Sequence, residues 1–248
     1  MISNEASASV TETEVSEIMS GPPEAARAWM RDLAGQGVPR AQALLGQMLL
    51  DGFGGGTAPD QALDWFLKAS AGGEPMAFNM AGRCYENGWG APANIAVAAQ
   101  WYRQAADRGS DWGMYNYATR LMLGDGLAED RGQALAWFRK AAALGHAKSI
   151  NIIGGFYEDG WEVAQDFAIA REHYERAAEA GDFRGRFNLG RVLASEGDVA
   201  GGLAQFERAA VGATPAFVAK MAAFLRGAPI QAYRDLADRL ERQGETAR

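Results

Sequence analysis

Residues 75–109, PMAFNMAGRCYENGWGAPANIAVAAQWYRQAADRG, read as a helix, a turn, a second helix and a second turn. Ala77, Met80, Ala81, Cys84 and Tyr85 are spaced by threes and fours, which places apolar and small side chains on one face of a helix spanning about Met76 to Glu86. Asn87-Gly88-Trp89-Gly90-Ala91-Pro92 must end it, because glycine admits left-handed backbone and proline cannot continue a helix. A second helix starts near Asn94, carries Ala98, Trp101, Tyr102 and Ala105 on its buried face, and closes at Arg108-Gly109. The many small residues let neighbouring helices approach closely.

Outward from this stretch the pattern recurs every 36 residues. Tryptophan stands at 29, 65, 101 and 137. Glycine stands at 46, 82 and 154, with Ala118 filling the gap, and again at 52, 88, 124 and 160. A third ladder runs through Gly37, Gly73, Gly109, Gly145 and Gly181. Three ladders on one period mark an array, and a period of roughly 20–50 residues means a solenoid, a propeller or a similar repeat architecture. Each unit of such an array contacts mainly its neighbours, so no central core grows with length.

The residues Ala77 to Gly82, Tyr85, Gly88, Gly90, Ala98, Trp101-Tyr102 and Ala105-Ala106 to Gly109 resemble the Sel1-like repeat, a relative of the tetratricopeptide repeat. The unit before offers Leu45-Gly46, Gly52-Phe53-Gly54, Ala62, Trp65-Phe66 and Ala69; the unit after offers Tyr115 to Ala118, Gly124-Asp125-Gly126, Ala134, Trp137-Phe138 and Ala141-Ala142. A fourth has Ile153-Gly154, Tyr157, Gly160, Ala170, His173-Tyr174 and Ala177-Ala178. Here His173 replaces the tryptophan and Glu162 the second loop glycine, so that loop is expected to differ in geometry. A fifth keeps Phe187 to Gly190, Phe206 and Ala209-Ala210, with an inner loop about four residues shorter. The resemblance implies an all-α fold, a right-handed α-solenoid of about a dozen helices in antiparallel pairs.

The expected organisation is a disordered tail over 1–22, with a degenerate first helix using Val15, Ile18 and Met19 as the other reading. One solenoid follows over 23–243, and 244–248 form a tail. Its units fall near 23–38, 39–74, 75–110, 111–146, 147–182 and 183–213, with a capping pair at 214–243. Pro22-Pro23 suits a helix start.

Composition narrows the function. Of 248 residues 48% are hydrophobic, enough for burial throughout, and the formal net charge of −7 argues against a nucleic-acid or anionic-membrane partner, since both need a basic stripe. Cys84 is the single cysteine and cannot form an internal disulfide, which favours a reducing compartment. Met1 to Gly21 has neither a basic nor an apolar leader segment, only Glu5, Glu12, Glu14 and Glu17 among serine and threonine. The expected location is cytoplasmic.

Catalytic chemistry needs convergent titratable groups, and few are on offer. His146 follows Gly145 where a histidine would meet helix-terminal carbonyls; His173 occupies a core slot; Cys84 lies on a buried helix face. No histidine or cysteine pair has metal spacing. Gly52-Phe53-Gly54-Gly55-Gly56 lacks the lysine and preceding strand of a phosphate loop. No catalytic residue, no cofactor and no metal are therefore expected.

In tetratricopeptide-type arrays the first helix of each unit lines the concave face. That register puts Met76, Arg83 and Glu86 in the groove, then Trp112, Tyr115 and Thr119, then Lys148, Asn151 and Glu158, then Arg184, Phe187 and Arg191. Aromatic and arginine residues are the usual interface anchors. A second candidate is the loop rim at Phe53, Trp89 and Trp161, interrupted by Asp125. The resemblance implies a non-catalytic scaffold or adaptor that binds a protein or peptide, and the basic residues suit an acidic segment. Its alternatives are a regulatory partner subunit of one cytoplasmic enzyme, in a setting such as iron acquisition, and an enzyme. The last follows a cysteine-rich branch linked to β-lactam binding, whose disulfide-bonded units this chain lacks.

Overall fold

The computed structural model describes residues 12–246, which form fourteen α-helices and, among the described residues, no strand. The helices belong to two compact units that divide between Ala134 and Leu135. The first holds α1 (Glu12–Met19), α2 (Pro23–Gly35), α3 (Pro39–Asp51), α4 (Pro59–Ala71), α5 (Pro75–Asn87), α6 (Ile95–Asp107) and α7 (Asp111–Leu123). The division falls inside α8 (Arg131–Ala143). The second holds α9 (Ala147–Asp159), α10 (Phe167–Glu179), α11 (Phe183–Ser195), α12 (Val199–Ala210), α13 (Pro215–Arg226) and α14 (Gln231–Thr246). Helices α3 and α4, α5 and α6, α9 and α10, α11 and α12, and α13 and α14 pack as hairpins, and α4 on α5, α6 on α7 and α10 on α11 join them.

Helix length is set at both ends by chemistry on the 36-residue period. Glu74, Ser110, His146 and Asp182 each accept a backbone N–H of the first turn of α5, α7, α9 and α11. Asn94 and Asp166 do the same for α6 and α10, and Asp130 accepts from the Gln133 N–H at the start of α8. Each such cap satisfies one otherwise orphaned donor. Where the cap is missing, at Val38 and Ala58, proline opens α3 and α4 instead. The His146 side chain thus caps the start of α9, its Nδ1 3.3 Å from the Ser149 N, while its backbone N–H meets the terminal Ala141 carbonyl of α8.

First helices end on Gly52, Gly88, Gly124 and Gly160, all left-handed, with φ between 64° and 74°. Each loop is closed by two bonds of one pattern, Trp89 N to Cys84 O and Asn94 N to Tyr85 O in the second repeat, Trp161 N to Phe156 O and Asp166 N to Tyr157 O in the fourth. The fourth loop therefore keeps the common geometry, contrary to expectation, and Glu162 follows it by taking φ 56°, the one non-glycine with positive φ among the described residues. Three residues, 196–198, join α11 to α12 where seven, 88–94, join α5 to α6, which is the expected shortening.

The core is an interlock of ring and glycine. Phe66, Tyr102, Tyr174 and Phe206 are fully buried, and each presses its ring where a Cβ on Gly46, Gly82, Gly154 or Gly190 would come within 2.7 Å. The tryptophan ladder read as core is displaced by one residue from this seam. Trp29, Trp65, Trp101 and Trp137 are half-buried, with Lys68 4.3 Å over Trp65 and Lys140 3.8 Å over Trp137. They cover the seam; the residue after each is inside it.

Of the expected tail 1–22, Glu12–Met19 is helical, with Ile18 packed on the first core cluster. Residues 1–11 lie outside the described residues, as do 247–248 of the expected C-terminal tail.

Candidate functional site

First helices lie side by side within each compact unit, α5 beside α7 and α9 beside α11, and asparagine pairs tie them. Asn116 Nδ2 donates to Asn79 Oδ1 at 2.8 Å, and Asn188 Nδ2 to Asn151 Oδ1 at 2.8 Å. Both pairs are spaced 37 residues apart, one off the repeat period, so no ladder of identical positions reveals them. Asn151 is buried and serves this tie.

In the first compact unit Glu86 accepts the Tyr102 hydroxyl and stands 3.4 Å from Arg120, which also reaches Asp125 at 2.6 Å. Burial, and then the neighbouring Glu86, push the Tyr102 phenol well above its usual pKa, so it remains a donor. Arg83 lies 5.3 Å over the Trp89 ring and lines a cleft of about 270 Å³ with Gln47, Leu50, Asp51, Thr57, Pro59, Met80 and Trp89. The groove candidate and a rim candidate therefore share one wall. Met76 packs partly buried against Ala43, Ala69 and Ala77. Trp112, 45% exposed, meets Tyr115 edge-on at 6.1 Å. Thr119 donates its hydroxyl to the Tyr115 carbonyl.

In the second compact unit Glu158 repeats the arrangement of Glu86. It accepts the Tyr174 hydroxyl and pairs with Arg191 at 2.9 Å. Burial opposes its ionisation, but the bonds from Arg191 and Tyr174 outweigh that and hold its pKa below the ordinary carboxylate value. Arg191 also contacts Asn188 Oδ1 at 3.3–3.4 Å. Lys148 is half-buried and, with Arg184, acts on the buried cap Asp182. Arg184 is exposed and lies 4.5 Å over Phe183, while Phe187 is half-buried among Phe206, Phe217 and Phe224.

The rim residues pack against the helical core. Phe53 and Trp89 pack partly buried on the first core cluster, and Trp161, 42% exposed, meets Phe156 edge-on at 6.1 Å. Cys84 and His173 are engaged by their own surroundings. Burial pushes the Cys84 thiol up to about 12, against a weaker pull from Arg83. His173 Nδ1 contacts the Ile169 carbonyl at 2.9 Å and its ring leans on Tyr157. Among the described residues no group of histidine, cysteine and carboxylate side chains could hold a metal ion, and no helix is long and apolar enough to cross a membrane.

The family model of the Sel1 repeat matches residues 39–74, 75–110, 113–146 and 147–182. The chain belongs to the Sel1 repeat family. Its fold is similar to a Sel1 repeat protein from Oxalobacter formigenes, with TM-score 0.80 and 22% identity over 94% of this chain and 100% of that one. It is also similar to a protective antigen of uropathogenic Escherichia coli displaying an SLR fold, with TM-score 0.71 and 23% identity over 95% of this chain and 53% of that one. An immunity protein from Pseudomonas aeruginosa is a third, with TM-score 0.58 and 17% identity over 84% and 80%. At these identities the likeness concerns the fold. No curated protein matches the Sel1 repeat chain described here.

Proposed function

We propose that this Sel1 repeat protein is a non-catalytic scaffold that binds a protein or peptide through the faces that first helices form within each compact unit. The observation that carries the reading is that these faces keep interface-type side chains exposed or partly exposed to solvent. Trp112 is 45% exposed at the second residue of α7, beside Gly113, whose backbone makes the close approach to Ala105. Arg83 stands on Trp89 in an open cleft, and Arg184 is exposed on α11. Sel1 repeat proteins generally act by holding protein partners. Tyr115 adjoins Trp112 in the first unit, and Phe187 lies one helical turn from Arg184 in the second. Met76, Glu86 and Thr119 shape and stiffen the first-helix face of the first compact unit, and Lys148, Asn151, Glu158 and Arg191 that of the second. The cationic members suit an acidic segment, and the site of action is cytoplasmic.

Capture of partners from the native cell, identified by mass spectrometry, tests this reading. The captured partner should bind Trp112→Ala more weakly by about 2 kcal/mol or more, with melting unchanged, and its affinity should fall as salt screens the charge pairs. A partner indifferent to both would move the site to the rim at Phe53, Trp89 and Trp161. A complex holding one enzyme at fixed stoichiometry would make the protein that enzyme's regulatory subunit.

A further inference from the structure

Helices α11 and α13 together carry Arg184, Arg186, Arg191, Lys220 and Arg226 and no aspartate or glutamate, in a chain whose net charge is −7. Three of these cations have work inside the protein. Arg186 bonds the Ala178 and Arg208 carbonyls, Arg191 pairs with Glu158, and Arg226 pairs with Asp238 and Glu241. Arg184 and Lys220 are both exposed, and among the described residues neither has a carboxylate at ion-pair distance. Asp182, which Arg184 acts on, is buried as the cap of α11.

The same two helices bring four phenylalanines together. Phe183 meets Phe217 at 4.7 Å, Phe217 meets Phe187 at 5.6 Å, and Phe187 meets Phe224 at 5.3 Å, all edge-on. Positions 217, 220 and 224 share one face of α13, so Lys220 stands between the two rings there. Arg184 lies over Phe183 and, at 5.8 Å, over Phe217. The strip is open to solvent, with Phe224 48% exposed. Edge-on aromatics bordered by exposed cations that form no ion pair combine the two residue classes that anchor interfaces, and leave charge for the partner to neutralise.

We propose that this α11–α13 face docks a segment of a partner protein in which an aromatic or large aliphatic side chain sits beside aspartate or glutamate. The apolar side chain covers the Phe187–Phe224 strip and the carboxylates pair with Arg184 and Lys220. Two cations on an acidic protein make too small a basic field for a nucleic-acid backbone, which requires many phosphate contacts. The proposal rests on the protein-binding reading above and adds the place and the chemistry of the partner.

The test uses the full chain and three labelled short peptides: one with a central phenylalanine and leucine flanked by glutamates, a twin with lysines for the glutamates, and a twin with serine for the phenylalanine. Lys220→Glu and Phe224→Ser change exposed side chains, and thermal melts confirm that both variants fold. The acidic aromatic peptide should saturate the wild type, bind each variant about tenfold more weakly, and weaken with salt, while both twins bind poorly. Three peptides that bind alike, folded variants that bind undiminished, or no saturation by any peptide would overturn the proposal. The captured partner is assayed against the same variants. Its retention by both overturns this docking face and leaves protein binding standing, whereas failure to capture any partner overturns the broader reading.

Discussion

Trp101 and Tyr102 are neighbours on α6 with different duties. Tyr102 is fully buried against Gly82 and donates to Glu86, whereas Trp101 is half-buried against Phe78 at 5.8 Å. Tyr102→Ala should cost about 3–5 kcal/mol, the range for a core aromatic, while Trp101→Ala should cost about 1–2 kcal/mol for partial burial. Denaturant unfolding of the two variants decides it, and equal losses would show that the tryptophan is core after all. Glu158 gives a pH signature. Its folded pKa lies below the unfolded value, so its contribution is full above the unfolded pKa and fades as pH falls through the folded one. Glu158→Gln should therefore be less stable than wild type near neutral pH, with the gap closing on acidification through the carboxylate range. Asp182, raised by burial, acts in the opposite sense but is common to both proteins and cancels. A gap that stays constant or widens in acid would contradict the Arg191–Glu158–Tyr174 arrangement.

Helix ends obey the repeat even where the sequence departs from it. Glu162 holds φ 56° in a loop whose other copies place Gly54, Gly90 or Gly126 at that position. A left-handed conformation costs an L-residue roughly 1–2 kcal/mol, so Glu162→Gly should stabilise the protein by about 1 kcal/mol. Thermal or denaturant unfolding measures this, and a neutral or destabilising result would mean that the loop does not adopt the common turn. Ser110→Ala removes the cap of α7, where the hydroxyl accepts the Gly113 N–H at 3.1 Å. Its expected cost is about 1 kcal/mol, and no loss in the same unfolding assay would show the cap to be idle.

At the level of the whole chain, periodic identity made the fold legible and left the site obscure. The ladders at Gly46, Gly82 and Gly154 and at Gly52, Gly88, Gly124 and Gly160 report backbone requirements that recur in every unit, so they announce helix pairs directly. A ladder cannot tell the inner side of a seam from its cover, which is why Trp101 reads as core beside Tyr102. Nor does it report pairings between units. Glu86 with Arg120, Asn79 with Asn116 and Glu158 with Arg191 depend on how adjacent first helices lie, and their spacings of 34, 37 and 33 fall off the period. Phe187 still keeps the register and reads as a groove residue, but Phe217 and Phe224 lie beyond the shortened loop at 196–198, where the 36-residue period has broken, so periodic reading does not assemble the strip. What the sequence does convey is the residue class on the first helices, and the protein-binding account depends on it. Hydrogen exchange of the captured complex, compared with the free protein, tests that account most directly. It predicts new protection concentrated on the first helices α5, α7, α11 and α13, with the second helices and loop tips unchanged. Protection confined to the loops around Phe53, Trp89 and Trp161, or to α4, α6 and α10, would contradict it.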